Sequence, residues 1–316
     1  MDIMVVSGFG DQRQNKNGRN HEVEERKHGE SRNNPPRRAI LRGIAALGIT
    51  AMAFASFAGS ASAQSLLEKI KSGETIRLGF TNEPPSAYPG ENNEPLGLVN
   101  AMTLDILKKM GTTKIEPVVT EWGALIPGLQ AGRFDIVTGG MWINPERCRN
   151  VLFSEPIATS NGAMIVPKGN PKNLHSYEDV RDKGLTLAAG AGDTAVKGAQ
   201  KIGIADDKIM QVAGPAEIVQ AVKAGRAAAG ALFNLTANAL SAKDPSIEVA
   251  DPYTPPTPSN YPAIAFSLKE QAAVDAFNAV LKDYLGSDEM MKAVGKYGYT
   301  KAMLPDGNTT AEACKR

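Results

Sequence analysis

Apolar and polar positions divide the chain beyond residue 75 into two series of alternating strands and helices. Alternation over residues 75–80 predicts a strand, and apolar spacing of three and four over Leu98–Met110, closed by Gly111, predicts a helix. The first series is completed by a predicted strand, a short helix and a buried strand at 115–119, 125–131 and 134–138. Strands that alternate with helices in this way are typical of an α/β sheet.

A second series repeats the same order of elements. It is predicted as strand, helix, strand, helix and strand at 185–189, 194–202, 209–212, 217–224 and 228–233. The tripeptide Ala-Gly-Arg precedes the last strand of both series, at 131–133 and at 224–226. The matching place of this short repeat predicts two similar α/β lobes.

Two proline-rich segments, 166–171 and 251–258, predict the points where the chain crosses between the lobes. The resulting division places lobe 1 at 64–167 and 253–316, and lobe 2 at 168–252. Two lobes joined by two strands form a hinge, and a cleft between hinged lobes is a usual place for a ligand. The predicted fold is therefore α/β, with two lobes, a two-strand hinge and an interlobe cleft.

The N-terminus has a different composition. Residues 1–36 are mostly polar and charged, which predicts a disordered extension. Residues 37–63 carry arginines, then an uncharged apolar run, then Ser60–Ala63 with A-x-A spacing, which indicates a cleaved secretory signal peptide. The apolar run is short for the alternative, a membrane anchor. The pair Arg37-Arg38 leaves both general secretory and twin-arginine export open.

Composition and charge argue against nucleic-acid binding and against metal chemistry. The 316 residues hold 35 basic and 34 acidic side chains, whereas nucleic-acid binders usually have a basic excess. Loss of the leader removes nine basic and six acidic residues, changes the net charge from +1 to −2, and leaves His175 as the only histidine. No metal or cofactor site is expected. In an oxidising compartment Cys148 and Cys314 tend to pair, with two free thiols as the alternative.

Three motifs carry a resemblance to a known family. Residues 125–135 read LIPGLQAGRFD, residues 140–147 read GMWINPER, and residues 153–156 read FSEP. This pattern resembles the polar amino-acid class of periplasmic solute-binding proteins of ABC importers. The arrangement Pro145-x-Arg147-Cys148 with a late cysteine, together with Glu83 after the first strand, most resembles the ectoine/hydroxyectoine-binding branch. The resemblance implies a monomer that captures a small zwitterion and docks on a membrane permease.

The resemblance also implies an anion site. Arg147 takes the position of a carboxylate clamp, and a planar guanidinium suits a carboxylate; the alternative is a surface ion pair with Glu146. The glycine-rich loop before Thr194 is implied to hold the other side of the carboxylate. Asp193 departs from the usual hydroxyl residue there. It either caps the following helix or faces a cationic part of the ligand.

A cation site is expected opposite. Phe233 stands where amino-acid binders usually carry an aspartate, and a phenyl face suits a diffuse cation. Phe233, Trp122, Trp142 and Tyr88 are predicted to form an aromatic box, with core packing as the alternative for each. Glu83 is predicted to pair with an amidinium or ammonium, unless it is an exposed loop acid. Ectoine fits this set, a betaine fits less well, and a polar amino acid remains possible if Asp193 binds the ammonium.

Two other functions compete with simple binding. Some periplasmic dehydratases resemble the same fold, but an enzyme needs a general acid or base in the cleft, and Glu83 and Asp193 are the only acids predicted there. A sensor domain of a receptor would need a membrane segment after residue 300, where the sequence is polar. We therefore expect a binding protein rather than an enzyme.

Overall fold

The computed structural model describes residues 64–257 and 259–316. The predicted N-terminal extension, the predicted signal peptide and Pro258 lie outside the described residues. The described strands are β1 (Ile76–Phe80), β2 (Tyr88–Pro89), β3 (Pro95–Leu96), β4 (Ile115–Val119), β5 (Ile136–Trp142), β6 (Leu152–Phe153), β7 (Gly162–Pro167), β8 (Leu187–Gly190), β9 (Ile209–Val212), β10 (Ala229–Phe233), β11 (Ile247–Val249) and β12 (Pro262–Phe266).

Helices cover the sheets that these strands form. The described α-helices are α1 (Leu66–Lys71), α2 (Leu98–Met110), α3 (Leu125–Gln130), α4 (Pro145–Cys148), α5 (Tyr177–Asp182), α6 (Thr194–Ile202), α7 (Pro215–Lys223), α8 (Asn234–Lys243), α9 (Gln271–Tyr284), α10 (Asp288–Val294) and α11 (Thr310–Ala313). None of the helices in this part of the chain is long and apolar enough to cross a membrane.

The strands form two five-stranded sheets, which confirms the two-lobed α/β fold. The first has the order β4-β1-β5-β12-β6 and the second the order β11-β7-β10-β8-β9. Strand β1 runs parallel to β4 and β5, and β8 runs parallel to β9 and β10. The carboxyl ends of parallel strands meet at one edge of a sheet, which is where ligands bind in open α/β sheets. The segments that follow β1, β4 and β5 therefore lie at this edge of the first sheet. The segments that follow β8, β9 and β10 lie at the corresponding edge of the second sheet.

The two lobes are linked where Ser160 and Asn260 pair. Each backbone N–H donates to the other residue's carbonyl oxygen, with N···O distances of 2.8 Å. The first crossing therefore precedes β7, since β7 pairs antiparallel with β10 and β11 in the second sheet. The predicted boundary at 167/168 would leave this strand in lobe 1. Pro167 ends the strand instead of marking the crossing.

Strand β5 differs from its predicted extent of 134–138. It begins at Ile136 and continues through Gly139 and Gly140 to Trp142. Glycines usually weaken a strand, so the pattern predicted an early end. Gly140 has φ +68°, and the pairing with β12 shifts register opposite this segment. This irregularity extends the strand to the lobe edge and places Trp142 at its end.

A disulfide joins the C-terminal tail to the first lobe. Cys148, the last residue of α4, is bonded to Cys314, with a Cα–Cα distance of 5.9 Å and a sequence separation of 166. The tail has two further anchors: the Thr310 hydroxyl donates to Ser154 O at 2.6 Å, and Arg316 Nη1 donates to the Tyr261 hydroxyl at 3.1 Å. The tail is thereby fixed beside the helix that carries Arg147.

Candidate ligand-binding cleft

Arg147 lies on α4, just beyond the end of β5. The side chain of Asn144 caps this short helix by accepting a hydrogen bond from Arg147 N at 2.9 Å. The guanidinium is buried and donates to two carbonyl oxygens, Trp142 O at 2.9 Å and Gly192 O at 3.3 Å. Gly192 belongs to the second lobe, so Arg147 spans the cleft.

The charge of Arg147 has no carboxylate partner in the described chain. The ion pairs within 4.0 Å in this part of the chain are formed by cationic side chains other than Arg147. Glu146 was the alternative partner predicted from the sequence, and it pairs with Lys197. Burial lowers the pKa of the Arg147 guanidinium, and the charge of Asp193 opposes that effect. A buried cation held only by carbonyl groups is costly and favours an anion from outside the protein.

The loop before α6 supplies the opposite wall. Asp193 is the N-cap of that helix: its Oδ1 accepts from Ala195 N at 2.9 Å and from the Thr194 hydroxyl at 3.1 Å. The structure thus shows the capping alternative for Asp193. Both residues are half-buried and border the cleft, where Arg147 shares an open recess of about 440 Å³ with them.

Three of the four predicted aromatic residues form one cluster across the cleft. The ring of Phe233 lies 4.7 Å from that of Trp142 and 5.8 Å from that of Trp122, measured between centroids. All three side chains are buried. The Cζ atom of Arg147 lies 5.7 Å from the centroid of the Trp122 ring, within cation–π range. The cluster therefore packs beside Arg147.

Tyr88 lies elsewhere. It belongs to the short β2–β3 hairpin and contacts Tyr297 edge-on, with ring centroids 6.4 Å apart. It is half-buried, and the cavities next to the aromatic cluster are lined by other residues. The structure therefore does not bring Tyr88 to the predicted aromatic box. The hairpin directs the chain away from it.

Glu83 is a buried acid rather than an exposed loop residue. It follows β1, is 6% exposed, and its Oε1 accepts a hydrogen bond from the Thr236 hydroxyl at 3.3 Å. The pKa of Glu83 is raised to about 8, first by burial and then by the nearby charge of Asp193, while the Thr236 hydrogen bond acts in the opposite direction. A buried carboxyl with one weak donor is well placed to accept hydrogen bonds from a ligand.

Thr236 was not anticipated from the sequence. It lies on α8, three residues after Phe233, and is fully buried. It is close in the chain to Phe233, the last residue of β10, and its hydrogen bond to Glu83 links the start of α8 to the other lobe. The sequence alone offered no signal for this contact.

Glu83 should give the protein a distinct pH dependence. Its pKa is raised from the usual 4.5 to about 8, so the folded protein keeps a proton that the unfolded chain releases. The contribution of Glu83 to the free energy of unfolding should be complete below pH 4.5, fall as pH rises toward 8, and then level off. Denaturant titrations at pH 5, 7 and 9 should show this fall in wild type, and Glu83→Gln should flatten it. An unchanged profile in the variant would contradict the assignment.

The cleft contains two cavities near these residues. One of about 310 Å³ is lined by side chains of both lobes, including Glu83, Trp122 and Asp193. The other, of about 50 Å³, lies beside Trp142, Thr194 and Phe233. No group of three His, Cys, Asp or Glu residues is arranged for a metal ion in residues 64–257 and 259–316.

Residues 76–300 match the family described as bacterial extracellular solute-binding proteins, family 3. The chain belongs to this family. A curated relative, the probable amino-acid ABC transporter periplasmic-binding protein y4tE of Sinorhizobium fredii (strain NBRC 101917 / NGR234), is 37% identical over 258 residues, which cover 78% of this chain and 85% of the relative. Binding proteins of ABC transporters are exported, bind small ligands and interact with a membrane permease.

Two further similarities concern ligand and chemistry. The crystal structure of EhuB in complex with hydroxyectoine superposes with a TM-score of 0.73 at 32% identity, covering 79% of this family 3 protein and 97% of EhuB. The cyclohexadienyl dehydratase of Pseudomonas aeruginosa is 28% identical over 153 residues, which cover 47% of this chain and 57% of the enzyme. The family therefore includes binding proteins and at least one relative with enzymatic activity.

Proposed function

We propose that this protein captures a small zwitterionic compatible solute, ectoine or hydroxyectoine, in the interlobe cleft and delivers it to the permease of an ABC importer. Arg147 binds the ligand carboxylate, with Thr194 and the loop around Asp193 on the far side. The cluster of Trp122, Trp142 and Phe233 encloses the ring of the ligand. Glu83 accepts hydrogen bonds from its cationic nitrogens.

The observation that carries this proposal is a pair of buried ionisable groups, Arg147 and Glu83, that have no oppositely charged partner in the described chain. Arg147 is a buried cation without a carboxylate partner in the described chain, and Glu83 is a buried carboxyl without a cationic one. Both adjoin Trp122: Arg147 stacks on its ring, and Glu83 lines the same cavity. A ligand with a carboxylate and a nearby cation satisfies both groups at once.

The aromatic cluster favours a delocalised cation. Aromatic rings attract cations but accept hydrogen bonds poorly, so a compact ammonium would lose more hydration than they return. An amidinium spreads its charge and still has N–H groups for Glu83. A betaine has no N–H group, so it cannot donate a hydrogen bond to Glu83. EhuB, which was crystallised with hydroxyectoine, supports the same choice.

A polar amino acid is the alternative ligand, supported by the name of the Sinorhizobium relative. It requires an acceptor for the α-ammonium. Asp193 commits Oδ1 to capping α6, which leaves Oδ2 for that role. In this alternative Glu83 binds the side chain of the ligand.

We infer binding without chemistry. Glu83, with its raised pKa, is the one group in the described cleft that suits proton transfer, and the dehydratase relative makes that role worth testing. A dehydratase also needs a group that positions the leaving group, whereas the binding function that we propose requires only retention of an intact solute. Turnover of a cyclohexadienyl substrate by the purified protein would overturn this inference.

The remaining proposals concern maturation and assembly. Residues 37–63 act as a cleaved signal peptide, residues 1–36 precede it, and the mature protein works as a periplasmic monomer with its Cys148–Cys314 disulfide intact. It interacts with no nucleic acid. Lobe 2 spans about 168–252 together with the preceding strand β7. Mass spectrometry of protein isolated from the periplasm tests the cleavage site and the disulfide together.

Ligand screening tests the main proposal. Isothermal titration of exported, purified protein should show ectoine or hydroxyectoine binding with Kd of about micromolar or tighter. Glycine betaine and glutamine should bind at least about tenfold more weakly, because they lack the amidinium. Tight glutamine binding with no response to either ectoine would reject the compatible-solute assignment in favour of the amino-acid alternative.

A further inference from the structure

One ion pair joins the two lobes beside Arg147. Glu146 lies on α4 in the first lobe, Lys197 lies on α6 in the second lobe, and the Lys197 ammonium donates to a carboxylate oxygen of Glu146. The other ion pairs within 4.0 Å in residues 64–257 and 259–316 each join two residues of the same lobe. The contact between Glu146 and Lys197 therefore exists only while the lobes are together.

The backbones of the two lobes also meet at this edge of the cleft. Gly192, in the loop before α6, has φ +79°, and a Cβ atom at this position would lie only 3.1 Å from the Cα atom of Gly123 in the first lobe. The carbonyl oxygen of Gly192 also accepts the hydrogen bond from Arg147. The ion pair thus belongs to an edge where the lobes are already in close contact.

Both members of the ion pair are neighbours of proposed ligand contacts. Glu146 directly precedes Arg147 on α4, and Lys197 follows Thr194 by three residues on α6, where such residues lie on one face of the helix. All four line the open recess of about 440 Å³. A movement that brings Arg147 and Thr194 to one carboxylate therefore also brings Glu146 to Lys197.

We propose that Glu146 and Lys197 are positioning residues, which form an interlobe latch that holds α4 and α6 together once the ligand is bound. The inference rests on the proposed function, since Arg147 and Thr194 must bind the ligand carboxylate. Both side chains of the latch are exposed, so its contribution to affinity should be about two- to fivefold. A latch that exists only in the closed form should slow ligand release and leave capture unchanged.

Glu146→Gln and Lys197→Gln distinguish the latch from long-range attraction of the ligand carboxylate. Loss of the latch should weaken affinity by about two- to fivefold in each variant, and the double variant should be no weaker than either one. Long-range attraction would instead give opposite effects, because one variant loses a negative charge and the other a positive charge. The exchange Glu146→Lys/Lys197→Glu should restore most of the affinity.

Two measurements follow affinity and release separately. Calorimetric titration of the exported protein gives the affinity for whichever zwitterion it binds. Stopped-flow fluorescence gives the release rate, because both tryptophans of the chain, Trp122 and Trp142, lie in the aromatic cluster of the cleft. Release should be about two- to fivefold faster in each single variant.

Lys109→Gln is the matched control. It removes the same charge from an exposed ion pair, but its partner Glu289 belongs to the same lobe, so affinity and release rate should not change. Opposite effects of Glu146→Gln and Lys197→Gln on affinity, or unchanged release in both, would overturn the latch and leave the proposed function intact.

Lobe separation without ligand tests the latch independently of the proposed function. Spin labels at Glu91→Cys and Asp207→Cys place one exposed label on each lobe, and the native cysteines of the described chain are held in the disulfide. The closed fraction should fall in Lys197→Gln and recover in the charge exchange. Failure of every zwitterion to bind would overturn the proposed function, whereas equal label distances in wild type and Lys197→Gln would overturn the latch.

Discussion

Replacing Arg147 by alanine should abolish ligand binding while leaving the folded protein stable. Loss of one partner from a buried, hydrogen-bonded charge pair costs about 2–5 kcal/mol, so ligand affinity should fall at least about thirtyfold. The fold should tolerate the change, because the guanidinium contacts carbonyl groups and no carboxylate in the described chain. Isothermal titration measures the affinity, and thermal unfolding without ligand measures the fold.

Arg149→Ala is the matched control for this prediction. Arg149 lies two residues away, is exposed and donates only to the carbonyl of Pro145 at 3.2 Å. Its removal changes the net charge equally and should leave affinity within about twofold. If Arg147→Ala retains wild-type affinity, the carboxylate site lies elsewhere in the cleft. Equal losses in both variants would indicate long-range charge attraction instead of a direct contact.

Removing the disulfide should cause the largest loss of stability. The bond between Cys148 and Cys314 closes a loop with a sequence separation of 166 residues, which restricts the unfolded chain. The double variant Cys148→Ala/Cys314→Ala should lower the free energy of unfolding by about 2–4 kcal/mol. Denaturant titration of the oxidised protein and the variant measures the difference directly.

Reduction provides an internal control for the disulfide. A reductant should lower the stability of the wild type to about that of the variant, and it should leave the variant unchanged. The anchors at Thr310 and Arg316 remain in both, so any remaining order in the tail belongs to them. Equal stability of oxidised and reduced wild type would show that the bond does not form in the protein.

The periodic elements could be predicted from the sequence because local patterns determine them. Helix α2 has the predicted bounds, and Gly111 ends it at φ +125°, a conformation that side chains rarely adopt. Strands β4 and β9 also begin and end where predicted. Helix α2 buries one face in its own lobe, so its apolar spacing reports its surroundings directly.

Less could be predicted where contacts between distant segments decide the structure. Strand β7 was assigned to the first lobe, because nothing in the sequence shows that it pairs with β10. The extension of β5 to Trp142 depends on pairing with β12, more than a hundred residues later. Register and sheet order are properties of the partner strand, which a single segment does not encode.

For the candidate site, too, some residue positions could be predicted from the sequence and others could not. The resemblance to the family singled out four site residues, and the structure brings them together: Arg147, Trp122, Trp142 and Phe233. Tyr88 contacts Tyr297 instead, because a hairpin turns the chain after Glu83. Asp193 caps α6, an alternative that the sequence left open.

The sequence by itself determined the fold class, the family motifs and the chemical types available for a zwitterion. Only the tertiary structure decided that Arg147 is buried without a carboxylate partner in the described chain, and that Thr236 of one lobe contacts Glu83 of the other. It also decided that Glu83 lines a cavity of about 310 Å³ together with Trp122 and with Asp193 of the other lobe. The reason is physical: burial, desolvation and charge pairing depend on neighbours in space, and these come from both lobes.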